Sequence, residues 1–156
     1  IIFLGNTMNR LLKKITLSFL TLCISFPVFS QSETSQVIGE YTVHYIAVNS
    51  SFISPEIAES YGIVRAPRNA FLNISVIKNT GGTGTSVTAQ ITGIKANLLG
   101  QNTALDFIEI REGDAIYYIG QLEFSNAENL RFNLEIQPEN STRIYPLNWT
   151  TKLYIN

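Results

Sequence analysis

A two-residue rhythm recurs along most of this chain, and it limits the chain to folds built from strands. Glu40 to Val48 (EYTVHYIAV) is dense in β-branched and aromatic residues. Ala70 to Lys78 (AFLNISVIK) sets Phe71, Asn73, Ser75 and Ile77 against Leu72, Ile74 and Val76. Thr85 to Ile94 alternates Val87, Ala89 and Ile91 with Thr88, Gln90 and Thr92. Leu105 to Arg111 and Ala115 to Phe124 read as a hairpin across Glu112-Gly113-Asp114, where the glycine can take a positive φ. Leu130 to Gln137 and Ile144 to Ile155, the latter interrupted by Pro146, complete about seven strands. That spacing predicts an all-β fold, an antiparallel sandwich.

One segment departs from the rhythm. In Ser54 to Gly62 (SPEIAESYG) a hydroxyl stands at the N-cap, Pro55 at the first helical position, Glu56 in the first turn and Gly62 just past the end. Those signals predict a helix of about two turns inserted after the first strand.

Ahead of the strands lies a different kind of text. Ile1 to Thr7 read as a misplaced start or remnant. Met8 is followed by Arg10, Lys13 and Lys14, then by the uncharged run Ile15 to Phe29, which closes on Val28-Phe29-Ser30. This three-part order predicts a secretory signal peptide over 8–30, cut after Ser30. The run is too short for a membrane-spanning helix, which needs roughly 20 apolar residues, and Ser18, Thr21, Ser25 and Pro27 interrupt it. Leu22 before Cys23 argues against a lipid-modified cysteine. Residues 31–36 are polar and read as a flexible lead-in, and 37–156 as one domain.

Removing residues 1–30 would leave eight basic residues against twelve acidic, net −4 with His44 neutral. It would also remove Cys23 and Met8, the only cysteine and the only methionine. A disulfide, a thiol nucleophile and a thiolate metal site are thereby excluded. No run of Lys or Arg remains, so neither a nucleic acid nor an anionic membrane surface is expected as partner, and no membrane span is expected after signal removal.

Candidate chemistry is sparse. Gly81 to Thr85 (GGTGT) lacks the Gly-Lys-Ser/Thr ending of a phosphate loop and precedes a strand, so it reads as a strand-to-strand connection. His44 is the one histidine; a soft-metal site would need several such ligands, and no cofactor is expected. A serine triad would need His44 as base, and no serine sits in a Gly-x-Ser-x-Gly context, so no catalytic residue is assigned. Glu109, Glu112 and Asp114 crowd the predicted hairpin, where they could do acid–base work as a small hydrolase or hold calcium in a structural site. Arg111 among them favours a charge-balanced tip instead. The candidate interaction surface combines Asn49 and Ser50, after the first strand, with Arg65 and Arg68 flanking Pro67, Arg111, and the outward member of Tyr117 and Tyr118. Arg65 and Arg68 could equally pair with Glu56 or Glu59. The sequons at Asn73 and Asn148 fall in predicted strands.

Several stretches together carry a family pattern: Tyr41 to Tyr45 (YTVHY), Asn49 to Phe52 (NSSF), Pro55 to Arg65 (PEIAESYGIVR), Asn73 to Val76 (NISV), Asn97 to Gln101 (NLLGQ), Ile110 to Tyr118 (IREGDAIYY) and Leu130 to Phe132 (LRF). The chain resembles the exported bacterial domain of unknown function 4426 family. The resemblance implies an exported, immunoglobulin-like β-sandwich and brings no activity with it. The expected function is that of a non-enzymatic, periplasmic binding or accessory module contacting another envelope protein, a peptide or a glycan.

Overall fold

The computed structural model describes residues 34–155. The apolar run, the cleavage position after Ser30 and the first residues of the expected lead-in lie outside the described residues. Every described element belongs to one compact unit, Ser32–Asn156.

Among the described residues ten strands form two antiparallel sheets. The first sheet runs β1 (Thr34–Ile38), β2 (Tyr41–Asn49), β3 (Asn69–Thr80), β8 (Ala115–Glu123), β7 (Phe107–Glu112), with β4 (Thr83–Ser86) on the far end of β3. The second runs β10 (Tyr145–Leu153), β9 (Glu128–Pro138), β5 (Ala89–Ala96), β6 (Asn102–Ala104). A short 3-10 turn, Ser50–Phe52, and a helix α1 (Pro55–Ser60) follow β2.

The period-two rhythm becomes the core directly. Val43 and Tyr45 of β2, Leu72, Ile74 and Val76 of β3, and Phe132, Leu134 and Ile136 of β9 all face the space between the sheets. Trp149 of β10 joins the layers, its ring centroid 4.6 Å from both Tyr45 of the first sheet and Phe132 of the second.

Four expectations change. Thr34 to Gln36, expected as lead-in, belong to β1, which pairs with β2 from Thr34 opposite Tyr45 to Ile38 opposite Tyr41; main-chain bonding to β2 orders a polar sequence that side-chain pattern alone leaves open. The single strand expected over Thr85 to Ile94 is two, because the chain leaves one sheet after β4 and enters the other at β5. β6 is too short and too exposed to show a pattern. Pro146 does not interrupt β10, since that strand is an edge and can spare one amide donor. About seven expected strands thus become ten.

The helix forms as its signals predict. The Ser54 hydroxyl accepts a hydrogen bond from the Ile57 amide at 3.3 Å. Its own backbone N–H and the Ser54 hydroxyl hold the Glu56 carboxyl below its usual range. At the other end Gly62 sits at φ +64°. The Gly62 amide donates to the Glu59 carbonyl and the Ile63 amide to the Ala58 carbonyl, so the last carbonyls are satisfied and Ile63 folds back onto Ala58.

Candidate functional site

The first sheet has a second apolar layer on its outer face. Phe71 of β3 and Ile119 of β8 point away from the main core, and Ala58 and Ile63 cover them from above. The cover is partial. Between α1 and the β7–β8 hairpin it leaves a groove of about 370 Å³, lined by Ile53, Ile57, Tyr61, Phe71, Asn73, Ile110, Glu112 and Tyr117 among others. Ile57 is 50% exposed and Ile108, on the same outer face of β7, is 47% exposed. The groove runs beside β7, and β7 is the last strand of its sheet among the described residues, so none of their strands pairs with one side of its backbone.

Asn73 lies between Ile46 on β2 and Ile119 on β8 in register. Its Oδ1 is buried and has no hydrogen-bond partner among the described residues. A buried acceptor left unpaired costs free energy that an incoming donor would recover.

Tyr117 and Tyr118 divide as alternation requires. Tyr117 lines the outer groove, and Tyr118 enters the core, where its hydroxyl accepts from the Ala89 amide at 2.7 Å and donates to Glu109 Oε2 at 2.9 Å. Burial pushes the Tyr118 phenol up to about 12, and the Glu109 carboxylate adds to that rise.

The carboxylates of the hairpin do not converge. Glu109 pairs across to Tyr118 on the inner face, Glu112 faces the outer groove with Ile110 and Tyr117, and Asp114 occupies the turn. The two-residue connection with Gly113 at φ +57° keeps the hairpin tight, so these groups stay on opposite sides of a pleated strand. Among the described residues no three His, Cys, Asp or Glu come together in a group able to hold a metal ion. The hydrolase and calcium alternatives therefore lack the convergent geometry that each requires.

The other expected surface residues are spread out, and two are not surface at all. Asn49 is 6% exposed and its Nδ2 donates to the Tyr154 carbonyl at 2.6 Å. Ser50 is fully buried, its Oγ donating to the Ala66 carbonyl and accepting from the Ala66 amide at 3.1 Å. Both fasten the long β2–β3 connection, and the correction has a plain cause: their polar groups satisfy backbone groups far away in sequence. Arg65 donates to the Ser51 carbonyl and Arg68 to the Ser125 hydroxyl. Arg111 pairs with Glu109 at 2.7 Å on the edge strand, and Arg111 lies beside Lys78 and Tyr41, at the end of the sheet away from Arg65 and Arg68. Of the six residues of the expected interaction surface only Tyr117 lies in the groove. The groove's remaining lining was hidden in the sequence, because outward Phe71, Ile110 and Ile119 read as ordinary strand residues.

A second depression is polar and lies at the end of the sandwich between the sheets, where Arg68, Lys95, Asn97, Gln101, Glu123 and Glu128 meet. Lys95 spans its floor and donates to the Glu123 carbonyl, so one cation there is already engaged.

Fold and groove together define a small antiparallel β-sandwich with a helix-flanked apolar groove beside an open sheet edge. The chain belongs to the family described as Domain of unknown function (DUF4426), which it matches over residues 35–156. A DUF4426 family protein from Pseudomonas aeruginosa PAO1, known from its crystal structure, is 27% identical with a TM-score of 0.70, over 82% of this chain and 99% of that one. FetP from uropathogenic Escherichia coli strain F11, recombinantly expressed in the periplasm of E. coli, is 12% identical with a TM-score of 0.59, over 79% and 94%. A copper-bound variant of FetP gives 11% identity and the same TM-score, over 79% and 95%. At those identities FetP shares the fold. No curated protein matches the chain. Among the described residues no helix is long and apolar enough to cross a membrane.

Proposed function

We propose that this chain is an exported binding or accessory module of the periplasm that takes an extended segment of another envelope protein or peptide along β7. The observation that carries the reading is the apolar groove between α1 and the β7–β8 hairpin, open beside an unpaired sheet edge. An added strand would satisfy the free backbone groups of β7, while its alternate side chains enter the groove against Ile57, Ile110 and Tyr117. The apolar lining suits a peptide better than a glycan. The unpaired Asn73 acceptor supplies a polar fixed point of the kind that sets register. Export rests on the charged start, apolar run and small-residue ending over 8–30. Periplasmic expression of FetP, which shares the fold, agrees with it. The copper of the FetP variant is not carried over, because among the described residues no three-ligand group exists here to receive it.

Selection of displayed peptides against residues 32–156 tests the proposal. Apolar peptides of alternating pattern should be enriched, and Ile110→Glu should weaken their binding about tenfold or more, since it places a charge in a desolvated contact. Failure to enrich any such peptide, or binding unchanged in Ile110→Glu, would reject it.

A further inference from the structure

The loop Asn97 to Gln101 between β5 and β6 presents Leu98 and Leu99 at 77% and 84% exposure. It is not a loose loop. Asn97 Oδ1 accepts from the Leu99 and Gln101 amides, both at 3.0 Å, and Asn97 Nδ2 donates to Gln101 Oε1 at 2.7 Å. The Asn97 and Gln101 backbones close the same turn, with the Asn97 amide on the Gln101 carbonyl at 3.2 Å. Two adjacent leucines are therefore held out into water by a fixed frame, which hydration opposes and folding does not explain.

These leucines are not isolated. Seven large apolar side chains are more than half exposed among the described residues, and five of them, Phe52, Val64, Leu98, Leu99 and Tyr154, belong to segments at one end of the sandwich. Contacts tie the neighbouring segments together: Asn49 holds the Tyr154 carbonyl, the Ile155 amide donates to Asn126 Oδ1, Arg68 reaches Ser125, and Lys95, two residues before the leucine loop's Asn97, donates to the Glu123 carbonyl. Charge follows the same axis. Of the eight basic residues in 34–155, Arg65, Arg68, Lys95, Arg131 and Lys152 lie towards this end and balance its five acidic ones, while the rest of the domain holds three against six. Lys152 also stands over the Tyr154 ring at 5.2 Å, an aromatic–cation pair suited to a water–lipid boundary.

We propose that, against the expectation from a sequence without a run of Lys or Arg, this end of the domain docks on a phospholipid surface, with Leu98 and Leu99 entering the acyl boundary and basic residues that the fold gathers from separate segments facing anionic headgroups. A pocket in a partner protein would need only the tip. Apolar side chains contributed by several separate segments, with basic residues among them and the excess of negative charge elsewhere, fit an extended anionic surface better.

Sedimentation with vesicles tests this, using residues 32–156, the compact unit that holds both sheets and the whole described core and lacks the apolar run 15–29. Vesicles of equal parts phosphatidylglycerol and phosphatidylethanolamine should carry the domain down, and phosphatidylcholine vesicles should carry less. Leu98→Ser with Leu99→Ser, both exposed and so harmless to the core, should lower partitioning by about tenfold or more. Arg131→Ala with Lys152→Ala should lower it several-fold and weaken its salt dependence. No sedimentation with anionic vesicles, or equal sedimentation of the leucine variant, would overturn the proposal. So would a leucine variant that loses cross-linking to a protein while vesicle binding is unchanged, and neither result bears on the groove beside β7.

Discussion

Tyr118 donates its hydroxyl hydrogen to Glu109 Oε2 at 2.9 Å while accepting the Ala89 amide at 2.7 Å. One oxygen thus ties the edge strand β7 of the first sheet to the start of β5 in the second. Glu109 is an inward-facing carboxylate on an edge strand, a placement that discourages uncontrolled strand addition while leaving the outer face of β7 free.

Replacing Tyr118 by Phe leaves the Ala89 amide without that acceptor, and we expect a loss of about 1–3 kcal/mol in chemical denaturation.

The same residue sets an alkaline limit. Its phenol ionises near 10 when unfolded and at about 12 when folded, so below pH 10 both states hold the proton and its contribution is complete. Between those values the unfolded chain releases its proton first, and stability falls as pH rises. The melting temperature of the native protein should drop across that interval, and Tyr118→Phe should flatten the drop. Parallel slopes in the two proteins would count against the assignment.

Asn49→Ala removes the donor to the Tyr154 carbonyl at a buried position. The expected cost is about 1–3 kcal/mol, with peptide binding at the groove unaffected. Binding lost at unchanged stability would instead restore Asn49 to the interaction surface.

Gly62→Ala should cost about 1–2 kcal/mol, because φ +64° is unfavourable for an L side chain although open space surrounds the position. Since Gly62 ends the helix that walls the groove, peptide affinity should fall with it. Amide exchange over Ile57 to Ile63 reads the local effect.

A chelator should leave the melting temperature unchanged. Glu109, Glu112 and Asp114 sit on the inner face, the outer face and the turn of one hairpin, and three such positions do not enclose a calcium ion. A fall on chelation would revive the calcium alternative.

Local features are legible in the residues themselves. The Ser54 cap, Pro55 and Gly62 delimit α1 because capping is decided within one turn of chain. The Gly113 turn and the alternation of β3 and β9 are equally local. The outward position of Tyr117 and inward position of Tyr118 follow from a period of two once either face is known.

What alternation cannot say is which sheet a strand joins or what covers its outward face. Val87 and Thr88 continue the rhythm of their neighbours, yet the chain changes sheets there. Asn49 and Ser50 look like loop surface until partners 105 and 16 residues away bury them. The groove exists only because Ala58 and Ile63 come down on Phe71 and Ile119, and the exposed apolar end only because three connections and the segment after β10 meet there. Most strand segments, both helix ends and the hairpin turn were legible in the residues alone, since those depend on neighbours within a few residues, whereas β1, β6 and the break between β4 and β5 were not. Tertiary structure alone decided the groove, the buried asparagine and the polarity of the domain, since each depends on contacts that only sheet pairing brings within reach.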